Sequence, residues 1–304
     1  MDVLVTGASG FIGNALLPAL RAAGHRPIAA VRGRRVPTGV EGVAWDPAAG
    51  TIDAAALDGV DAVVHLAGAG IGDARWTDAR KQLILESRTK GTRLLVETLT
   101  RLTTKPSVLV SASAVGYYGD RGDEVLTEVS TPGRDFLARL CEQWEAAPAP
   151  AAAAGIRLVT TRAGVVLGRE GGVLKRVLLP FRLGLGGRLG SGEQYMSWIA
   201  LDDHVAAILH ALTTPSLQGP VNFTAPNPVT NAEFTETLGR VLHRPTAIPT
   251  PLAPLRARYS SELVEHLLLF SQRAIPAALD ANGFAFAHTS LEDGLRAVLR
   301  KPAA

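Results

Sequence analysis

The amino-acid sequence predicts an α/β fold, a doubly wound parallel sheet covered by helices on both faces. A β-branched run at residues 2–6 stops at a glycine-rich turn, and an apolar stretch of helical spacing follows it. Strand-like and helix-like stretches then alternate through the first half of the chain. With 304 residues, 47% of them hydrophobic and 19% charged, the chain can bury a core of its own without a disulfide or metal staple.

The first helix is expected from Phe11 through Leu16, Leu17 and Leu20 to a stop at Gly24. Pro18 falls inside that pattern and costs about 3 kcal/mol mid-helix, so a kink or a late start is expected there. Pro27–Arg32, Val43–Trp45, Asp61–Leu66 and Val108–Ser113 read as the next strands. Between the last two, Ile84, Ser87, Gly91, Leu94, Thr98 and Leu102 recur at helical steps and mark a long helix. Ala146–Gly155 is low in complexity and reads as a surface connector, with a strand at Arg157–Arg162 after it. Beyond Gly164 the texture changes to a loop-rich, proline-rich segment with a helix opening at Asp202–Asp203, two acids that read as a cap and dipole complement.

Composition narrows the classes. A net charge of +3 is too small and too dispersed for a general nucleic-acid footprint. Cys141 is the single cysteine, so an intrachain disulfide is excluded and a reducing, cytoplasmic setting is expected. The histidines show no short ligand spacing, so no metal is expected. No apolar run reaches the ~18 residues of a membrane span, and no membrane partner is expected.

The strongest chemical signal is Thr6-Gly7-Ala8-Ser9-Gly10-Phe11-Ile12-Gly13, between the first strand and the first helix. Glycines there let the backbone turn tightly and approach a pyrophosphate, whose charge meets amides at the helix N-terminus. This makes residues 1–168 a Rossmann-type dinucleotide-binding domain. Residues 169–304 form a smaller substrate-side α/β region, with the chain crossing between the two. The second strand should end beside the adenosine ribose, where an acid would select NAD and an arginine NADP. Here it ends Ala30-Val31-Arg32-Gly33-Arg34-Arg35, so Arg32 points to NADP(H). The fourth strand ends in small residues, Ala67-Gly68-Ala69-Gly70, which permit close approach of a cofactor.

TGASGFIG (6–13), DAVVHLAG (61–68), SASAVGYYG (111–119), RAGVVLG (162–168) and WIALDD (198–203) together resemble the extended short-chain dehydrogenase/reductase superfamily. ESRTKGTRLL (86–95), WEAA (144–147), LLPFRLGLGGRLGSGEQYMSWI (178–199), NPVTNAEF (227–234) and SQRAIP (271–276) are similar to its epimerase-like, YfcH-type branch. That branch carries a C-terminal module of unknown function, here at about 247–298. The resemblance implies that Gly7, Gly10, Phe11, Ile12 and Gly13 hold the pyrophosphate. It implies Val31 and Arg32 at the adenosine phosphate, Leu66 and Ala67 at the ribose side, and Arg88 and Val166 toward the nicotinamide half. A small-molecule substrate and a homodimer are the partners that accompany it.

Family members of the usual kind use a Ser/Thr, a Tyr with a Lys four positions on, and an Asn. No Y-x-x-x-K occurs here: the corresponding places are Leu137 and Cys141, and the Asn place is Arg88. Ser113, or Ala114 by a one-residue shift, keeps the Ser/Thr place. The nearest alternative acids are Tyr117 and Tyr118, of which Tyr117 is the chosen candidate beside Ser113. In the 178–199 segment, Arg182, Gln194, Tyr195 and Trp198 are either a pocket wall or a mixture of core and surface. The expected activity is that of an NADP(H)-binding oxidoreductase or epimerase-like enzyme. A catalytically silent NADP(H)-binding regulator is the alternative that the missing Tyr–Lys pair raises.

Overall fold

The computed structural model describes residues 1–33 and 36–300. It opens with strand β1 (Asp2–Thr6), helix α1 (Phe11–Ala22), β2 (Arg26–Val31), β3 (Glu41–Asp46) and β4 (Thr51–Ile52). Next come β5 (Ala62–His65), the long α2 (Asp78–Arg101), β6 (Val108–Ala114), β7 (Val125–Leu126), α3 (Phe136–Ala146), α4 (Ala149–Ala153) and β8 (Arg157–Ala163). The second half holds β9 (Val165–Leu167), α5 (Gly172–Arg182), β10 (Tyr195–Met196), β11 (Trp198–Ala200), α6 (Leu201–Thr213), β12 (Gly219–Phe223), β13 (Val229–Thr230) and α7 (Asn231–Leu242). It closes with α8 (Leu252–Tyr259), α9 (Ser261–Val264), β14 (Arg273–Ala274), α10 (Ala277–Ala281) and α11 (Leu291–Leu299).

The main sheet has eight strands in the order β12-β8-β6-β5-β1-β2-β3-β4, parallel except for β4 on one edge. The doubly wound α/β class expected from the sequence is the class observed. Side chains alternate across it. Val3 and Val5 face α1 and α6 with Leu16, Leu20, Ile208 and Leu212, while Leu4, Val63 and Leu109 face α2 with Leu95 and Leu99. Both faces are covered, which is why the strands read as continuous apolar runs rather than alternating ones. Strand order reverses about β1, which lies between β2 and β5, so the carboxyl ends of β1 and β5 diverge into a crevice. Thr6 sits beside Ala30 and His65 there, and His65 beside Ser111.

The second half returns β12 to the edge of this sheet and lays α6 on α1. It also builds a core of its own from Leu174, Leu178 and Phe181 on α5, Trp198, Phe234, Leu238, Leu291 and Leu295. The short β7–β14 pair ties the loop after β6 to the C-terminal segment.

Of the two alternatives for α1, the late start does not occur: the helix starts at Phe11 and runs through Pro18 to Ala22. Pro18 and Asn14, the residue whose carbonyl loses its helical partner to the proline, both lie on the exposed side of the helix. Two further expectations are corrected. The alanine-rich stretch is more than a connector: α4 forms within it, alanine being the best helix former, and Ala151 is fully buried in the core on the α2 face. Asp203 caps nothing. It is buried, and its two carboxylate oxygens accept the backbone N–H groups of Ala287 (2.8 Å) and His288 (3.0 Å), clamping the C-terminal segment to α6.

Candidate functional site

The glycine loop is shaped by close approach. Gly7 has φ +68°, and a Cβ there would lie 2.9 Å from the Leu66 carbonyl carbon. A Cβ on Gly13 would lie 2.4 Å from the Gly7 oxygen, so only glycine lets α1 begin this near to β1. The Gly10 N–H closes the turn on the Gly7 oxygen at 2.9 Å. Gly13→Ala is therefore expected to push the loop off the crest, weakening dinucleotide binding at least tenfold and lowering stability by about 1–3 kcal/mol. Fluorescence titration and thermal melting of the variant check both.

A buried relay fixes the crest. Thr92 Oγ1 donates to the Arg88 carbonyl (2.5 Å), which assigns the His65 Nε2–H as donor to Thr92 (2.9 Å). His65 Nδ1 then accepts from Thr6 Oγ1 (2.7 Å), which itself receives the Leu66 and Ala67 N–H groups. The relay joins the end of β1, the end of β5 and α2. Burial pushes the His65 pKa down to about 4, so the ring is neutral at pH 7.

Gly7, Gly10, Gly13, Leu66 and Ala67 are thus brought together, as the sequence suggests. Phe11 joins them from the α1 side, its ring packed against Gly168, Gly171 and Gly172. Val166 pairs with Ile199, and its oxygen lies 3.0 Å from where a Gly172 Cβ would be, which places it on the same rim. Ile12 packs toward the core on the α1 face. Val31 ends β2 half-buried and Arg32 follows it, exposed. Arg34 and Arg35, also part of the basic run, lie outside the described residues.

Arg88 lies against Gly68, whose added Cβ would be 3.2 Å from the guanidinium carbon. Its Nη1 donates to the Ala69 (2.9 Å) and Ile84 (3.2 Å) carbonyls, and its cation sits 4.6 Å from the Trp144 ring centroid. Burial lowers its pKa to about 10, with Arg80 adding repulsion.

Ser113 shares a face with Leu109, so its hydroxyl points toward α2 and α3. It donates to Glu145 Oε1 (2.6 Å), and Glu145 is gripped bidentately by Arg162 at 2.9 and 2.8 Å. Arg162 Nη1 donates to Tyr118 Oη (3.1 Å), and Tyr118 donates to Asn222 Oδ1 (2.7 Å). Tyr118 is wholly buried in this network, its pKa pushed up to about 12 by burial. Tyr117 is half-buried, with the Arg162 cation 3.5 Å from its ring centroid. Leu137 and Cys141 occupy α3 beneath Gly116. The Cys141 thiol is pushed up to about 12, first by burial and then by Glu145, so it packs as a small hydrophobe.

Sequence reasoning missed Glu145, Arg162 and Asn222. The usable signal was an arginine inside a strand rather than at its end, Arg162 in the RLVTTRA of β8. It also missed His266, whose ring stacks on Phe270 (centroids 4.6 Å apart), 4.0 Å from Asp135 at the start of α3. Of the 178–199 residues, Trp198 is core, its Nε1 donating to the Asn227 carbonyl, and Gln194 binds the Leu189 and Leu268 carbonyls. Arg182 is exposed, and Tyr195 is half-buried under Arg273. No single wall is formed.

The model of the NAD dependent epimerase/dehydratase family matches residues 3–223. The chain belongs to this family. A domain of unknown function (DUF1731) matches residues 250–298, as the C-terminal motifs imply. An epimerase family protein of Mycobacterium tuberculosis is 46% identical over 300 residues, covering 99% of this family member and 98% of the relative. The human epimerase family protein SDR39U1 is 37% identical over 302 residues, covering 98% and 100%. The crystal structure of human SDR39U1 with NADPH superposes with a TM-score of 0.86 at 35% identity, covering 98% and 99%. A UDP-glucose 4-epimerase of Thermus thermophilus, in complex with NAD, shares the fold with a TM-score of 0.74 at 22% identity. The fold is thus that of NAD(P)-binding epimerase-family proteins. Among the described residues no helix is long and apolar enough to cross a membrane.

Proposed function

We propose that this chain is an NADP(H)-dependent oxidoreductase or epimerase-like enzyme acting on a small carbonyl, alcohol or sugar-derived substrate. The observation that carries the reading is a glycine cradle that no Cβ fits, with exposed Arg32 directly after β2, where a 2′-phosphate would lie. Gly7, Gly10, Phe11, Ile12 and Gly13 hold the diphosphate through backbone amides. Val31, Leu66, Ala67 and Gly68 line the ribose side, and Val166 and Arg88 the nicotinamide half. Bound NADP(H) supplies a hydride at the nicotinamide ring. Tyr117 carries the exchangeable proton, while Ser113 and Glu145 hold Arg162 beneath its ring.

Separate fluorescence titrations with NADPH and NADH test this. NADPH is expected to bind more tightly, and Arg32→Ala to cost it about tenfold, the value of one charge-assisted contact at an exposed site, with NADH unchanged. Equal affinities for the two would remove the role of Arg32. With a substrate from a carbonyl panel in hand, Tyr117→Phe is expected to abolish NADPH oxidation while leaving NADPH binding intact.

A second reading has its own observation. Leu137 and Cys141 fill the places of the usual tyrosine and lysine as buried packing groups. Tight NADPH binding without turnover across a broad panel would select a silent NADP(H)-binding regulator instead.

A further inference from the structure

Arg88 is the anomalous charge of the site. Only 6% of its surface is exposed, its Nε is buried without a partner, and the ionisable groups facing it are Cys141 and a second cation, Arg80. Arg80 repeats the pattern. Its Nη2 donates to the Gly70 carbonyl (2.5 Å) and its Nε is likewise buried without a partner. Two guanidinium groups therefore bind the consecutive carbonyls of Ala69 and Gly70 and repel each other. The carboxylate nearest that turn, Asp73, is paired with Arg176 at 2.7 Å. A neutral donor such as glutamine would satisfy those carbonyls without the cost of burying charge, so carbonyl bonding does not account for the arginines. An anion arriving between them would offset that cost, because charge-assisted bonds to a carboxylate are strong at a desolvated guanidinium.

The position says which anion. The diphosphate cradle, Gly7 to Gly13, opens onto α1. Arg88 stands on the other face of the sheet, over Trp144 and beside Cys141, whose Sγ lies 3.7 Å from the Ala114 carbonyl at the end of β6. Ser113 and Tyr117, the proposed proton-handling residues, lie at that same end of β6. We propose that Arg88, reinforced by Arg80, is an anion subsite for a carboxylate of the substrate, which makes the substrate an oxo or hydroxy acid. The inference rests on the NADP(H) oxidoreductase reading and narrows its substrate class.

Titration calorimetry with oxamate, a carboxylate-bearing mimic of a 2-oxo acid, tests it on the full chain saturated with NADPH. Saturable oxamate binding is expected in the wild type, weakened at least tenfold in Arg88→Gln and a few-fold in Arg80→Gln, with NADPH affinity within twofold in Arg80→Gln. No saturable binding, or binding unchanged in Arg88→Gln, would overturn the subsite. So would inorganic phosphate competing as well as oxamate while NADPH affinity falls tenfold in Arg88→Gln, since the anion would then be a cofactor phosphate. Should Arg88→Gln melt out, Arg80→Gln, which sits nearer the surface, reads the same subsite. A wild type that fails to bind NADPH sinks the proposed function alone, and oxamate titration of the chain without cofactor then decides the subsite.

Discussion

Glu145→Ala is expected to lower stability by about 3–5 kcal/mol, the usual consequence of stranding a buried charge. The Arg162 side chain is 4% exposed and that of Glu145 14%, and the carboxylate takes two bonds from Arg162 and one from Ser113. Burial alone would pull the Arg162 pKa down, yet the hydrogen bonds and charge of Glu145, with help from Tyr118, raise it above its ordinary value. Removing the carboxylate reverses that balance and leaves a cation within the sheet. For a chain of this length, about 4 kcal/mol corresponds to a fall in Tm of roughly 6 °C. Glu145→Gln, which keeps the shape and part of the bonding, is expected to fall between wild type and Glu145→Ala. Ser113→Ala removes a single bond and should cost about 1–3 kcal/mol. Thermal melts of the three variants with NADPH titrations alongside check the order. A Glu145→Ala protein as stable as wild type would mean the ion pair contributes nothing. Unchanged NADPH affinity in Ser113→Ala, with turnover lost, would make Ser113 a positioning residue for Tyr117.

The network explains which parts of the site were legible from the sequence. The glycine loop is local: turn, close approach and helix start are encoded within residues 6–13, and the strands of the cofactor half follow from apolar runs bounded by turns. Arg32 is legible for the same reason, since its place depends only on where β2 stops. Glu145, Arg162, Tyr118 and Asn222 belong together only because β6, β8 and β12 are neighbours in the sheet, and the Tyr118–Asn222 bond spans 104 residues. Which of two adjacent tyrosines is interior depends on the direction of the backbone leaving β6, which no spacing reveals. Asp203 shows the limit from the other side. An acid in a first helical turn carries a familiar local meaning, and backbone partners on a distant segment gave it another.

Acid is expected to destabilise the protein by about 3 kcal/mol for each of two buried histidines between pH 6.5 and 4. His65 and His204 are nearly inaccessible, and burial lowers both pKa values to about 4 from an ordinary 6.5. Above pH 6.5 both rings are neutral in the folded and unfolded chain, so neither affects stability. As pH falls below 6.5 the unfolded chain takes up protons that the folded one refuses. The folded state therefore loses ground until about pH 4, where its own histidines begin to charge. His65 has structural reasons to be present, since it joins Thr6 to Thr92 and so holds the glycine loop against α2. His204 has fewer: its Nδ1 is buried without a partner and its ring packs on Phe223 at 5.4 Å between centroids. His204→Leu should thus be at least as stable as wild type at pH 7.5 and should lose about half as much stability on going to pH 4.5. His65→Leu should flatten the profile equally but weaken NADPH binding, because the crest loses its tie. Urea unfolding of the three proteins across that range separates the two effects, and an unchanged pH slope in His204→Leu would show that its ring titrates alike in the folded and unfolded chain.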